Sequence, residues 1–310
     1  MPQRTIAVIG SLNIDFITQT PRIPEPGETL TAISFDTGLG GKGANQAVAC
    51  ARLASKDVLV RMVGKVGDDI FGKDYFDGLK KEGIDASGVR MLKGEKTGVS
   101  NIIVDEASGE NRILFTANAN YEFGEEGVGW DLVPQEAGVV VMQLEVPLGV
   151  VLRNMHLARE GGKHVILNPA PAQLLPDWSY QDIDTLIMNE TETLLLAKAV
   201  HKSHPAAELA ASFLKWGVKE AVIITLGGEG LVYATASGQS GRIPARKVKV
   251  VDTTAAGDTF VGAYAVRRAQ HVGDPAHFDI EGALEFATGA AAKSVERVGA
   301  MAAIPYLSEL

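Results

Sequence analysis

The chain has 310 residues, of which 46% are hydrophobic and 22% charged, a composition typical of a globular protein with a substantial core. Its formal net charge of −9 argues against binding to nucleic acid, because a protein that holds nucleic-acid phosphates needs a basic surface. A small anionic ligand needs only a local positive site, so the acidic balance does not exclude one.

Cys50 is the only cysteine, which excludes an intramolecular disulfide and predicts a small core residue in an apolar helix. The six histidines suggest no metal site; His201 and His204 could share a helix face, but no third ligand is near. The first residues enter a strand without a signal segment, and no apolar run could span a membrane. These features predict a cytosolic protein without a membrane partner.

Strand and helix patterns alternate along most of the chain. Apolar runs rich in β-branched residues predict strands at Thr5–Ile9, Val58–Val63, Val139–Gln143, Val165–Asn168, Leu186–Met188 and Ala221–Thr225. Helical periodicity predicts helices at Ile70–Glu82, Leu148–Glu160 and Ile280–Val298. The alternation predicts one mostly parallel sheet with helices on both faces, and no linker or repeat indicates a second domain.

Two segments predict a second, smaller sheet. Three prolines between residues 21 and 26 favour an edge or a loop. Thr97–Val104 has the alternation of a strand, followed by a turn at Ser108–Glu110 and a returning strand at Arg112–Thr116.

Polar side chains are expected on one face of the strand that follows Gly10. Asn13 and Asp15 alternate with apolar residues, so both point to the same side. Two hydrogen-bonding groups on one face suit a polyhydroxylated ligand, although an edge strand with a solvated face would give the same pattern. The dinucleotide fingerprint G-x-G-x-x-G is absent, which disfavours a nicotinamide oxidoreductase.

Four glycines between residues 38 and 43 surround Lys42 and precede a helix. Gly43 stands where a Walker A loop has Ser or Thr, so this is not a Walker A loop. Glycine lets the backbone approach a ligand closely, which makes Gly41 and Asn45 candidate contacts of a hydroxylated ligand. Taken alone, glycines before a helix also fit an ordinary tight turn.

The stretch VDTTAAGDTFVG combines a strand end, a turn of small residues and a helix start. Val248–Val251 predicts a strand that stops at Asp252, and the residues after the turn predict a helix to about Arg268. The N–H groups of residues 255–257 would form an anion site at the helix N-terminus. The residues alone allow two roles for Asp258, a helix-capping acid or a base that takes a proton from a nucleophile attacking phosphorus.

Three motifs in the expected order resemble those of the ribokinase-like (PfkB) carbohydrate kinases. They are GSLNID from Gly10, GGKGANQA at residues 40–47 and DTTAAGDTF from Asp252, within a resemblance over residues 8–305. The resemblance implies a three-layer α/β/α fold with a mostly parallel central sheet and a small β-sheet lid. It also implies a single domain over residues 1–310, with lid segments at about residues 15–36 and 97–118.

The resemblance also implies roles for individual residues. The expected catalytic groups are Asp258 as base and the backbone of Ala255, Ala256 and Gly257 as anion hole. The expected sugar contacts are Asn13, Asp15, Gly41, Lys42, Gly43, Asn45, Glu145 and Asp258. The expected nucleotide contacts are Asn189, Thr225, Gly227, Gly228, Gly230, Gly257 and Thr288.

ATP, Mg²⁺ and K⁺ are the cofactors that the resemblance implies. Glu192, in an N-x-x-E arrangement, would hold Mg²⁺ through water, although an acidic first turn of a helix gives the same pattern. The expected K⁺ ligands are Asp252, Thr254, Ser294, Arg297, Gly299 and Ala303. Relatives often have serine at the place of Ala303, and many have glycine at the place of Asn118.

The implied activity is ATP-dependent phosphorylation of the 5-hydroxyl of D-ribose to D-ribose 5-phosphate. Alternatives are a kinase for fructose, a deoxy sugar acid or a nucleoside, and a catalytically silent regulator that binds sugar or nucleotide. The retained AAGD turn weighs against the silent regulator. Apolar residues at Val99, Ile102 and Ile103 would permit a homodimer through the lid.

Overall fold

The computed structural model describes residues 4–107, 111–125, 127–198, 205–271 and 277–310. The predicted turn at Ser108–Glu110 and the pair His201 and His204 lie outside these ranges. The strands are β1 (Arg4–Ile9), β2 (Asn13–Thr20), β3 (Ser34–Gly40), β4 (Val58–Gly67), β5 (Asp85–Leu92), β6 (Gly98–Asp105), β7 (Asn111–Thr116), β8 (Ala137–Met142), β9 (His164–Leu167), β10 (Thr185–Asn189), β11 (Ala221–Thr225), β12 (Leu231–Thr235) and β13 (Ser240–Ile243). The helices are α1 (Lys42–Leu53), α2 (Ile70–Lys81), α3 (Leu148–Glu160), α4 (Glu190–Leu196), α5 (Ala206–Trp216), α6 (Ala256–Gln270) and α7 (Ile280–Ser294).

These strands form two sheets. Among the described residues, nine strands make the large sheet in the order β13-β12-β11-β10-β9-β8-β1-β4-β5. Its strands are parallel from β11 to β5, and only β12 and β13 at one edge are antiparallel. The other four form a small sheet in the order β3-β2-β6-β7. The predicted mostly parallel sheet with a smaller second sheet is confirmed.

Helices cover both faces of the large sheet because its central strands are apolar on both sides. Along β1, Ile6 and Val8 face a core shared with α1, α2, α6 and α7. Ala7 and Ile9 face the opposite core, shared with α3, α4 and α5. Burying a side chain such as Ile6 completely stabilises the fold by about 1.5–3 kcal/mol. The three-layer architecture therefore follows from the continuous apolar runs of the strands and from their alternation with helices along the chain.

The two sheets join at one row of the small sheet. Asn13 at the start of β2 pairs with Gly40 on one side and with Gly98 on the other. The hydroxyl of Tyr75, from α2, donates to the carbonyl of Asn13 at 2.6 Å and accepts the N–H of Gly40 at 3.0 Å. This row, hereafter the junction row, is thus fixed to the helical layer by a buried side chain.

Two predicted elements differ from the structure. Val248–Val251 is not a strand: the N–H groups of Val251 and Asp252 donate to the carbonyl of Val295, so the loop after α7 holds this segment in place of a sheet edge. The last predicted helix ends at Ser294 and not at Val298, because the chain turns through i→i−3 bonds after that residue.

The remaining predicted strands and helices are confirmed, with shifts of a few residues at their ends. Cys50 is buried in α1, as predicted. Within the described ranges, no helix combines the length and the apolar character needed to cross a membrane.

Candidate active site

A buried carboxylate stands at the start of α6. Asp258 is only 6% exposed, although it lies in the first turn of a helix. The Nδ2 of Asn45 donates to its Oδ2 at 3.0 Å, and the Nε2 of Gln46 donates to its Oδ1 at 2.9 Å. Both carboxylate oxygens therefore have fixed amide donors, which hold the side chain in one orientation.

Close packing of α1 against α6 produces this arrangement. A Cβ atom at Gly262, one turn after Asp258, would lie 2.4 Å from the Cβ of Ala49 and 2.9 Å from the N of Cys50. Only glycine lets the two helices approach this closely. One turn earlier in each helix, this approach brings Asp258 within hydrogen-bonding distance of Asn45 and Gln46 on α1.

Backbone N–H groups are available beside the carboxylate. Ala255 adopts the left-handed conformation, with φ 58°, and α6 begins after it. The N–H of Ala256 donates to the carbonyl of Thr253 at 3.3 Å. Among the described residues, no backbone acceptor receives the N–H groups of Gly257 and Asp258, and a Cβ at Gly257 would meet open space. Free N–H groups at a helix N-terminus suit an anion.

A second polar cluster lies between β1 and α1. The Oε2 of Glu145 accepts hydrogen bonds from the hydroxyl of Ser11 at 2.6 Å, the N–H of Lys42 at 3.0 Å and the Nδ2 of Asn13 at 3.3 Å. The Nδ2 of Asn120 donates to the Oδ1 of Asn13 at 2.7 Å. Asn13 is fully buried, so the cluster is preorganised rather than solvated. The predicted alternative of a solvated edge strand is therefore wrong.

Asp15 shares the face of β2 on which Asn13 lies. Burial raises its pKa to about 7, and the negative charges of Glu145 and Asp258 act in the same direction. A hydrogen bond from Ser100 and the positive charge of Lys42 oppose this shift. Asp15 is thus a buried acid that titrates near neutral pH.

Glycines make room for these side chains at three places. A Cβ at Gly40 would lie 2.1 Å from the Oδ2 of Asp15, and one at Gly98 would lie 2.3 Å from the Oδ1 of Asn13. Gly41 has φ 86°, and its Cβ would lie 2.8 Å from the N of Asn13. The glycines here are required by close approach within the protein.

Lys42 is the cation among these acids. Burial of Lys42 disfavours its charge, but surrounding carboxylates outweigh this effect and raise its pKa. The carboxylates belong to Asp258, Glu145, Glu192 and Asp15. The site therefore holds a half-buried positive charge among four carboxylates.

One cavity of about 210 Å³ lies at the carboxyl edge of the large sheet, and five of the ten predicted catalytic and nucleotide residues line it: Asn189, Thr225, Ala255, Gly257 and Asp258. Its polar lining comes from Lys42, Asn168, Asn189, Glu192, Thr225, Thr253 and Asp258, beside the backbone of Ala255 and Gly257. Ligands of open α/β sheets bind at this edge. The cavity thus combines a carboxylate, a cation and free N–H groups.

The glycines of the turn after β11 lie in two different environments. Gly227, with φ 55°, and Gly228 face open space, so their backbone is accessible. Gly230 is different: its Cβ would lie 2.0 Å from the carbonyl oxygen of Ile243, so packing against β13 already requires glycine there. The hydroxyl of Thr288, on α7, is buried and has no partner among the described residues.

Asn189 and Glu192 form a capping box at the start of α4. The Oδ1 of Asn189 accepts the N–H of Glu192 at 2.8 Å, while the Glu192 carboxylate accepts the N–H of Asn189 at 2.8 Å and its Nδ2 at 2.9 Å. Burial raises the pKa of Glu192, and the hydrogen bond from Asn189 opposes the shift. The acidic first turn that the sequence allowed is present, and its carboxylate also lines the cavity.

Asp252 ties the turn before α6 to the loop after α7. Its Oδ1 accepts the N–H of Thr254 at 2.9 Å and the hydroxyl of Thr254 at 2.7 Å, and its Oδ2 accepts the N–H of Gly299 at 2.8 Å. The carbonyl of Ser294 accepts the N–H of Arg297 at 3.2 Å, and Ala303 is fully buried. The six predicted cation ligands thus lie on two segments that Asp252 holds together.

Comparison with known proteins decides the family. The pfkB family carbohydrate kinase model matches residues 3–307 of the chain. The chain belongs to the pfkB family of carbohydrate kinases. It is 41% identical to the ribokinase of Schizosaccharomyces pombe, over 98% of this chain and 96% of that protein.

Two solved structures are similar to this carbohydrate kinase over nearly its whole length. A ribokinase from Thermotoga maritima is 36% identical with a TM-score of 0.86, over 99% of this chain and 97% of that one. The ribokinase of Arabidopsis thaliana, solved with ribose and ATP, is 29% identical with a TM-score of 0.85, over the same shares of the two chains. The family resemblance and the fold predicted from the motifs are confirmed.

Sequence reasoning missed several polar residues that complete the site of this kinase. Ser11 and Asn120 hold Glu145 and Asn13, while Gln46 and Gln143 form a buried amide pair behind Asp258. Gln46 lies within the GGKGANQA motif, and Gln143 directly follows an apolar strand. The sequence therefore indicated that Gln46 and Gln143 lie near the site, but it did not indicate the hydrogen-bond partner of either residue.

A second group of ionisable residues lies away from the cavity. His164, Asp184 and Glu220 lie together at the N-terminal ends of β9, β10 and β11. The Nε of Arg268 donates to the Nδ1 of His164 at 3.1 Å, and its NH2 donates to Glu220 at 3.0 Å. Arg159 pairs with Asp184. Arginine side chains thus already pair with all three of these residues.

Proposed function

We propose that this carbohydrate kinase transfers the γ-phosphoryl group of ATP to the 5-hydroxyl of D-ribose. One observation carries the proposal: the buried Asp258 is fixed by two amide donors at a helix N-terminus with free N–H groups. A carboxylate beside an anion site suits proton removal from an alcohol that attacks phosphorus. The similarity to ribokinases, one of them solved with ribose and ATP, supports ribose as the sugar.

In the proposed reaction, Asp258 accepts the proton of the 5-hydroxyl as its oxygen attacks the γ-phosphorus. The bond from that phosphorus to the β,γ-bridging oxygen breaks, and ADP leaves. The free N–H groups of Gly257 and Asp258, at the end of the predicted anion hole of residues 255–258, would stabilise the charge on the transferred group. The sugar would be held by the cluster around Glu145, including Asn13 and Asp15, and by Gly41, Lys42, Gly43 and Asn45.

The nucleotide would lie along the carboxyl ends of β10 and β11. Asn189, Thr225 and Gly257 line the cavity there, and the open backbone of Gly227 and Gly228 continues it. The unpartnered hydroxyl of Thr288 would face the base. Gly230 would support this turn through packing rather than through contact with ATP.

Oxygen donors in the site fit Mg²⁺ and K⁺. Each oxygen of Glu192 accepts a hydrogen bond from Asn189 and keeps a lone pair for a metal-bound water. Mg²⁺ on the phosphates would neutralise their charge. Asp252 and the carbonyls of Thr254, Ser294, Arg297, Gly299 and Ala303 offer the oxygen ligands that hard cations prefer. A carbonyl ligand needs no side chain, so Ala303 could still contribute.

The small sheet would cover the sugar as a lid, within a single kinase domain over residues 1–310. Its face opposite Asn13 and Asp15 carries apolar side chains at Phe35 and Leu114, which are 60% and 65% exposed. We propose that this surface pairs two copies of the chain. Ile102, which the sequence suggested for this contact, is buried and would not take part.

We expect a dimer in sedimentation analysis of the wild-type protein. Leu114→Asp should give a monomer, because a charge in an apolar interface loses its solvation. Ile70→Asp, at an equally exposed apolar position on α2, is the control and should remain dimeric. A wild-type monomer at micromolar concentration would contradict the proposal.

The substrate is tested by ADP release from ATP with Mg²⁺ and K⁺ across ribose, deoxyribose, fructose, a sugar acid and adenosine. Ribose should give the highest kcat/KM. Preference for another sugar would leave the kinase assignment intact and change the substrate. Binding of ribose without turnover of any compound would instead favour the silent regulator.

Replacing K⁺ with tetramethylammonium at constant ionic strength should lower kcat about tenfold or more, since bonds to charged groups contribute about 1.5–3 kcal/mol each. The loss is expected because the cation would brace the turn that leads into α6. Asp252→Ala should remove the response to K⁺. Equal activity of the wild-type enzyme in both salts would refute the cation site.

A further inference from the structure

A chain of buried amides ends on Asp258. Gln143 follows β8, Asn168 follows the neighbouring β9, and Gln46 lies on α1 between them and the carboxylate. Gln46 and Gln143 are fully buried, and Asn168 is 9% exposed. We propose that Gln46, oriented by Gln143 and Asn168, is a positioning residue that fixes the Asp258 carboxylate for proton transfer. This inference rests on the proposed role of Asp258 as base.

The Gln46 amide uses both of its N–H donors and its carbonyl oxygen in this network. Its Nε2 donates to the Oδ1 of Asp258 at 2.9 Å and to the Oδ1 of Asn168 at 3.1 Å. Its Oε1 accepts from the Nε2 of Gln143 at 2.6 Å. Asn168 in turn donates to the carbonyl of Ile187 at 3.0 Å. The ends of two central strands thus determine where the amide points.

The charge on Asp258 fixes the direction of every bond in the chain. An ionised carboxylate only accepts, so the NH₂ group of Gln46 must face it. The oxygen of Gln46 then faces Gln143, which must donate. A rotated Gln46 amide would place oxygen against the carboxylate and NH₂ against NH₂. Two repulsive contacts therefore oppose any other orientation.

Gln46 differs from the second donor, Asn45, in its free hydrogen-bonding capacity. The Oδ1 of Asn45 is buried without a partner among the described residues, which leaves it an acceptor for a bound hydroxyl. Neither residue is among those that line the described cavity, but the N–H donors and the oxygen of Gln46 all have protein partners. Charges facing Asp258 come from Lys42, Asp15 and Glu192, and none of them bonds to the Gln46 amide. Orientation of the carboxylate is thus the distinct contribution of Gln46.

Gln46→Met keeps the length of the side chain and removes its donors. We expect kcat to fall about ten- to hundredfold, the usual effect of losing a hydrogen bond to a charged group. KM for ribose and for ATP should stay within about twofold, because the loss falls on the transition state. Gln143→Met should act in the same direction with a smaller effect, since Gln46 keeps its own bonds but loses the group that orients it.

Asn154→Met is the matched control. Asn154 is a fully buried amide on α3 that donates to the carbonyls of Trp130 and Val150 and accepts the N–H of Leu132. Its loss should lower the thermal unfolding midpoint about as much as that of Gln46, with kcat unchanged. A kcat loss in this control equal to that of Gln46→Met would overturn the proposal.

Steady-state kinetics of the four single variants and of the Asp258→Asn, Gln46→Met double variant complete the test. A folded Gln46→Met enzyme with wild-type kcat overturns the proposal, and if that variant does not fold, wild-type kcat in Gln143→Met does so. Gln46→Met should have no further effect in the Asp258→Asn background, whereas additive losses would contradict positioning. Near-wild-type turnover of Asp258→Asn alone would instead refute the role of the base.

Discussion

Asp258→Asn is expected to lower kcat by roughly 10²- to 10⁴-fold, the usual contribution of a general base. The Asn side chain has nearly the same shape and can still accept from one of the two amides, so the packing of α1 on α6 should persist. Its neutral amide cannot take the proton of the 5-hydroxyl. Single-turnover phosphorylation of ribose measures the chemical step directly.

Ribose binding provides the control for this variant. Isothermal titration should give a Kd for ribose close to that of the wild-type protein, because the cluster around Glu145 is unchanged. Turnover near the wild-type rate would show that the proton leaves by another route. A lost ribose affinity would show that Asp258 binds the sugar more than it acts on it.

Asp15→Asn is expected to stabilise the folded protein at pH 8 and to weaken ribose binding. Burial raises the pKa of Asp15 from 3.8 to about 7, so the folded state must ionise a buried acid above that pH. The protonated side chain contributes stability that is fully present below pH 3.8 and is lost as the pH rises through about 7. A shift of this size corresponds to at most about 4 kcal/mol.

Urea unfolding of the wild type and the Asp15→Asn variant between pH 5 and pH 8 measures this difference. The stability gain of the variant should grow with pH, whereas Asp36→Asn, on an exposed residue of β3, should follow the wild type throughout. A constant difference between the two proteins would refute the shifted titration. In the wild type, KM for ribose should rise as the pH falls below about 7, because a protonated Asp15 accepts fewer hydrogen bonds from the sugar.

The periodicity of apolar residues in the sequence was sufficient to predict the three layers of the fold. The continuous apolar run of β1 predicted a buried strand, and the alternation of strands with helices predicted a parallel sheet covered on both faces. Periodicity failed where tertiary context decides, as at Val248–Val251. These β-branched residues favour a strand, but the segment pairs with the loop after α7, and Val250 is 60% exposed.

Local motifs located the site but not the contacts within it. The alternation of Asn13 and Asp15 with apolar residues correctly placed both on one face of β2. The GGKGANQA and DTTAAGDTF motifs identified the N-terminal ends of α1 and α6. Gln46 escaped notice because its partner is 212 positions away in the chain. That contact depends on Gly262, whose missing side chain no periodicity explains. Long-range packing between helices is thus the part of the site that the sequence does not display.

The junction row has a consequence for how the sugar pocket can vary. Asn13 and Asp15 belong to the small sheet, whereas Asn45, Gln46 and Asp258 belong to the helical layer of the large one. A change in the angle between the sheets would move Asp15, one of the proposed sugar contacts, and leave Asp258 and its two amide donors in place. Substitutions in the small sheet away from the junction row would thus alter sugar selectivity with little effect on the proposed phosphoryl transfer, so the two properties could evolve separately.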